Sequence, residues 1–108
     1  MPPYNKLVRD KIPAIIREQG LEPSTRLLGD EEYKQELRVK LAEETGEYLT
    51  ALTDAEAGEE LADILELLHA LAAAHGLTPE QLETIRANKA AKRGGFRDRI
   101  YLIEVPDA

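Results

Sequence analysis

A chain of 108 residues with a formal charge of −7 and no cysteine holds one domain and no disulfide or thiolate site. Its acidic surface repels nucleic-acid backbones, which excludes a general role on DNA or RNA polymers. An apolar fraction of 43% and interspersed charges of both signs belong to a folded domain rather than a disordered one.

No signal peptide and no apolar run of membrane length is visible, so the expected setting is the cytoplasm, without a membrane partner. A domain this small buries only about 60–70% of the surface its unfolded chain exposes, and such a core gains from a partner subunit.

In chain order, Tyr4-Asn-Lys-Leu-Val-Arg-Asp-Lys-Ile-Pro13 is a short basic lead-in. A first helix opens near Asp10, carries Ile12, Ile15 and Ile16, and stops at Gly20. Pro23-Ser24 interrupts the chain, and residues 25–28 are apolar and partly β-branched, as a short strand would be.

Asp30 is the expected N-cap of a long second helix, with Glu31 and Glu32 in its first turn where the helix dipole favours negative charge. Leu37, Leu41, Tyr48 and Leu52, with Leu49 beside them, recur at helical steps and carry this helix to about Leu52. Gly46 inside it costs roughly 1 kcal/mol relative to alanine and points to a close approach by another backbone or a ligand.

Thr53-Asp54 caps a third helix running to near Gly76, whose Leu61, Ile64, Leu65, Leu68, Leu71 and Ala72 form a face wide enough for two neighbours. Thr78-Pro79 supplies the N-cap and first-turn proline of a fourth, which passes Leu82 and Ile85 and ends near Arg93 before Gly94-Gly95. The tail alternates loosely and is rich in β-formers, so residues 100–105 can pair with residues 25–28 in a small two-stranded accessory sheet. The fold expected is all-α, a four-helix core with that sheet as an accessory.

Within this frame two acidic pairs share one spacing: Glu44 with Glu47, and Glu60 with Asp63. A separation of three places both carboxylates of a pair on one helix face, a turn apart. If helices two and three fold as a hairpin about Thr53-Asp54, Glu44 faces Asp63 and Glu47 faces Glu60, roughly 10 Å from the turn.

Carboxylates about 5 Å apart at an effective dielectric near 20 repel by on the order of 3 kcal/mol per pair, so the box calls for a cation. An all-oxygen donor set without histidine or cysteine suits Mg²⁺, or Mn²⁺, rather than zinc, and magnesium held this way recruits substrate phosphates. Any single glutamate on a helix is usually a solvated side chain, and the matched quartet is what lifts these four above that reading. Glu43 and Glu59 point about 100° away from the box, although Glu43 could still orient a ligand.

Glu43-Glu44-x-x-Glu47, twelve residues, then Glu60-x-x-Asp63 resembles the signature of the MazG-like all-α nucleoside triphosphate pyrophosphohydrolases. The lead-in Tyr4–Pro13 and Lys92-Arg-Gly-Gly-Phe96 are similar to the compact house-cleaning subgroup of that superfamily. The resemblance implies cleavage between the α- and β-phosphates of a nucleotide, giving a monophosphate and pyrophosphate, with Mg²⁺ on Glu44, Glu47, Glu60 and Asp63. Water is then the nucleophile and Glu47 or Glu43 its base. The resemblance also implies a homodimer or higher homo-oligomer.

Phosphate cations are expected from Lys89, Lys92, Arg93 and Arg97 at the end of helix four, from the basic cluster Lys6, Arg9 and Lys11, and from Lys40, one turn before Glu44. Basic residues at a helix C-terminus also complement the dipole, which is the competing reading of the first cluster. Two other functions remain open: phosphoribosyl-ATP pyrophosphohydrolase, with the same chemistry, and a non-catalytic module in which a metal at the acidic quartet only stabilises an oligomer.

Overall fold

The computed structural model describes residues 4–107. Four helices follow one another: α1 (Ile12–Glu18), α2 (Asp30–Leu49), α3 (Asp54–Ala74) and α4 (Pro79–Arg93). The fold is all-α, and no strand or sheet occurs among the described residues.

The boundaries follow from local chemistry. Pro13 sits in the first turn of α1, where its missing N–H has no helical partner to lose. Beyond α1 the chain turns at Gly20, which takes φ +84°, a left-handed conformation that glycine adopts without strain.

At α2 the N-cap is Gly29 rather than Asp30. Asp30 becomes the first helical residue, where its carboxylate still meets the positive end of the dipole. The helix stops at Leu49, three residues before the expected Leu52, because α3 has its own start signal at Thr53.

Thr53 Oγ1 accepts the Glu56 N–H at 3.1 Å, and the Glu56 carboxylate accepts the Leu52 N–H at 3.0 Å, so the two residues close the entrance to α3 from both sides. Thr78 and Gln81 make the reciprocal capping pair at α4, at 3.1 and 2.9 Å.

The main packing is the α2–α3 hairpin. Leu37 of α2 and Ala72 of α3 are its buried residues. The wide apolar face of α3 is only partly covered in this chain: Ile64 and Leu71 are half-buried, whereas Leu61, Leu65 and Leu68 are exposed. The second neighbour that such a face requires is therefore absent from the fold. No single helix among the described residues is long and apolar enough to cross a membrane.

α4 leaves α3 at a bend of 105°, and the angle between them holds an apolar groove of about 440 Å³ floored by Leu65, Leu68, Leu71, Leu77 and Leu82. The radius of gyration is 18.7 Å, against about 13 Å for a compact domain of this length.

The accessory sheet is not formed. Residues 25–28 and 100–105 lie outside any helix, and neither makes a backbone ladder with the other. A two-stranded ribbon is marginal in water unless a hydrophobic face covers it, and this chain offers it none. The close approach expected at Gly46 is also missing within the chain, since nothing lies within 4 Å of where a Cβ would stand.

Candidate metal centre

α2 and α3 bring three of the four expected carboxylates, Glu44, Glu47 and Glu60, into one cluster, and Asp63 is outside that group. Glu44, Glu47 and Glu60 can each offer an oxygen within 4.8 Å of the other two. Glu44 and Glu60 are half-buried beneath the helix pair, while Glu47 is open to solvent. Asp63 stands beside them, close enough for its charge to act on both Glu44 and Glu60.

The electrostatics are those of a site lacking its counter-charge. Burial is the largest cause raising the Glu44 carboxyl to about 7, followed by its hydrogen bond with Glu47 and the negative charges of Glu47 and Asp63; the Lys40 ammonium opposes them. Glu60 is raised for the same reasons, burial first and then the hydrogen bond and charge of Glu47. Carboxylates crowded without a cation hold a proton between them instead.

Two oxygens remain unsatisfied: Glu44 Oε2 and Glu60 Oε2 are buried and have no hydrogen-bond partner. A buried, unpaired carboxylate oxygen is costly, and a hard divalent cation is the ligand that such oxygens match. The residues present fit a magnesium-type ion.

Two cations reach the cluster, one from the lead-in and one from α2 itself. Arg9, on the lead-in before α1, donates from Nη2 to Asp63 Oδ1 at 2.7 Å. Lys40 Nζ lies 4.0 Å from Glu44 Oε1, one turn earlier on α2. The sequence placed Arg9 among the phosphate cations. The structure adds that it already neutralises one of the expected metal ligands, a contact across 54 positions that spacing alone does not reveal.

The remaining expected residues are arranged differently. Glu43 is exposed beside the cluster. Lys6 is exposed and lies 5.6 Å from the centre of the Tyr4 ring, an ordinary cation–π distance, and Lys11 is the N-cap residue of α1.

Lys89, Lys92, Arg93 and Arg97 are exposed and make no ion pair with the acidic cluster. At 1.5 Å per residue along α3 and α4, the 105° bend leaves the backbone of residues 89–93 roughly 20 Å from that of Glu60 and Asp63. Nor does the apolar groove belong to this centre. Its one cation, Arg86, is tied to Glu83 by two hydrogen bonds of 2.5 and 2.8 Å.

No family model and no solved structure matches the chain. A protein of Mycolicibacterium smegmatis, described only as uncharacterized, is 48% identical over 48 residues, which is 44% of this chain. The aligned region spans about half (49%) of that relative's length.

Proposed function

We propose that the chain is a Mg²⁺-dependent nucleoside triphosphate pyrophosphohydrolase that works as a homo-oligomer. The observation that carries this reading is the pair of buried, partnerless oxygens on Glu44 and Glu60 inside a carboxylate cluster flanked by Arg9 and Lys40. Carboxylates below and cations beside them are what a metal–triphosphate complex requires. The resemblance of the acidic signature to the MazG-like enzymes points to the same chemistry.

In this reading Glu44, Glu47, Glu60 and Asp63 hold the cation, which supplies charge neutralisation on the phosphate oxygens when bound. Arg9 and Lys40 orient the phosphate chain. Glu47, the exposed member of the cluster, takes the proton of the attacking water, with Glu43 as the other candidate base. The water oxygen bonds to the α-phosphorus, the bond from that phosphorus to the bridging oxygen breaks, and pyrophosphate leaves with the bridging oxygen. Lys89, Lys92, Arg93 and Arg97 can join a bound nucleotide only from a second copy or after α4 moves, since about 20 Å separates them from the cluster in this chain.

The homo-oligomer is supported by surface. A compact monomer of 12.1 kDa exposes about 6,000 Å², whereas this chain exposes 9803 Å². Obligate interfaces take about 1,000–2,500 Å² from each partner, so the excess of roughly 3,800 Å² per chain is more than one such interface needs, and Leu61, Leu65 and Leu68 are among the exposed apolar residues.

The test is a hydrolysis screen over standard and modified nucleoside triphosphates and phosphoribosyl-ATP, with Mg²⁺ or Mn²⁺ and identification of products. Release of pyrophosphate with a monophosphate, abolished by Glu47→Gln, is the expected outcome. Hydrolysis of phosphoribosyl-ATP alone would move the assignment to that substrate. A protein that binds Mg²⁺ but cleaves nothing in the panel would make the centre a structural one.

A further inference from the structure

We propose that residues 100–105 form an exchange arm: in the homo-oligomer each copy lays this segment antiparallel along residues 25–28 of a second copy, forming in trans the strand pair absent within the chain. The inference rests on the homo-oligomer reading and adds to it the segment that makes the contact and the segment that receives it.

The arm has the composition of a covered strand and none of the cover. Ile100, Tyr101, Leu102, Ile103 and Val105 are between 71% and 90% exposed. Because side chains alternate along an extended backbone, Ile100 and Leu102 lie on one face and Tyr101, Ile103 and Val105 on the other. Glu104 interrupts the first face, so it is the second, wholly apolar face that belongs to a covered strand rather than to a solvated tail. Residues 100–107 make no backbone–backbone hydrogen bond, so a full row of donors and acceptors is unpaired.

The launch point is built. The Arg99 N–H donates to the Phe96 carbonyl at 3.2 Å, and Arg99 takes φ +58°, so a tight turn after α4 redirects the chain. Pro106, which has no N–H, ends the segment.

The receiver is also prepared. Residues 22–28 make no backbone–backbone hydrogen bond, and Leu27 is 98% exposed. Arg26 holds this stretch against α2 through two hydrogen bonds to Glu32, at 2.6 and 3.0 Å, which fixes its direction at the mouth of the helix. A tethered segment with open backbone donors and acceptors can act as a template for β-augmentation.

Charge selects the orientation. Arg97 and Arg99 precede the arm, and Asp30, Glu31 and Glu32 follow the receiver. Antiparallel pairing sets the basic flank of one against the acidic flank of the other, whereas parallel pairing separates them. Within one chain the same two segments remain apart, and the surface left open is that of an obligate assembly.

The chain lacks cysteine, so the pairing can be read by disulfide formation. Centring the two segments antiparallel brings Leu27 opposite Leu102, and facing Cα atoms about 4.5–5.5 Å apart accept a disulfide. Full-length Leu27→Cys and Leu102→Cys proteins are co-refolded, oxidised and run without reductant, with Leu49→Cys replacing Leu102→Cys as the control partner.

The expected result is a covalent dimer as the main product of the Leu27–Leu102 mixture and not of the control. The doubly substituted chain should give covalent dimers or longer chains rather than an intrachain loop. On the unsubstituted protein, amide exchange should show residues 25–28 and 100–105 protected together and losing protection together on dilution.

An intrachain loop overturns the arm exchange, as does an oligomer by light scattering that neither cross-links nor protects the two segments. A chain that is monomeric by light scattering removes the homo-oligomer reading itself, and the exchange with it.

Discussion

At the scale of single residues the acidic centre makes two measurable demands. In the absence of a cation, the folded Glu44 carboxyl binds its proton up to about pH 7, whereas the unfolded chain releases it near 4.5. Between those values the folded state holds more protons, so stability must fall as pH rises through that window and level off above it. The loss attributable to Glu44 is up to roughly 3 kcal/mol, and the raised Glu60 acts with the same sign. Urea unfolding in chelator at pH 5 and pH 8 should therefore show the chain more stable at pH 5. Glu44→Gln should flatten the difference, Mg²⁺ should restore stability at pH 8, and equal stability at both pH values without metal would contradict the crowded site. The second demand concerns Arg9, which neutralises Asp63 in this structure. Arg9→Ala should leave Asp63 free for a cation and tighten Mg²⁺ binding severalfold by titration calorimetry, while raising KM for the nucleotide. Weaker Mg²⁺ binding with unchanged KM would remove Arg9 from both roles.

At the scale of elements, the helices were legible because their ends carry explicit chemistry. Thr53 and Thr78 accept the N–H groups that their positions before α3 and α4 call for, and Gly20 takes the left-handed turn expected after α1. The hairpin placement of Glu44, Glu47 and Glu60 was equally legible, since it needs only the period of the helix and the position of one turn. Arg9 on Asp63 was not, because the path of an irregular lead-in has no periodicity to read. The two β-rich segments show the opposite error: their composition is right for strands, but a strand exists only where a partner and a cover exist. Gly46 allows the elements themselves to be tested. It lies inside α2 beside Glu47 with open space around it, so Gly46→Ala should stabilise the isolated helix pair by about 1 kcal/mol in urea unfolding. If a nucleotide approaches α2 at this point, the same substitution raises KM; an unchanged KM would show that the bare helix face at Gly46 is not a ligand contact.

At the scale of the whole molecule the question is what supplies the missing core. A radius of gyration of 18.7 Å and two buried hydrophobic residues, Leu37 and Ala72, describe a chain whose helices are well started but poorly covered. The best-covered side of α3 is the side carrying the acidic centre; the opposite stripe of Leu61, Leu65 and Leu68 is open. Metal affinity and assembly should consequently be coupled, because both depend on α2 and α3 holding one geometry, and whatever binds only the folded form stabilises it by mass action. Burying a leucine contributes about 1.5–3 kcal/mol, and a lysine in its place leaves a charge to be desolvated at the interface. Leu65→Lys, which lies on the open stripe away from the carboxylates, should reduce the assembly to monomers by light scattering. It should abolish the concentration dependence of Tm and weaken Mg²⁺ binding at least severalfold, although no ligand has been altered. A Leu65→Lys protein that remains oligomeric, with Tm still rising with concentration, would show that the uncovered face of α3 is not where the copies meet.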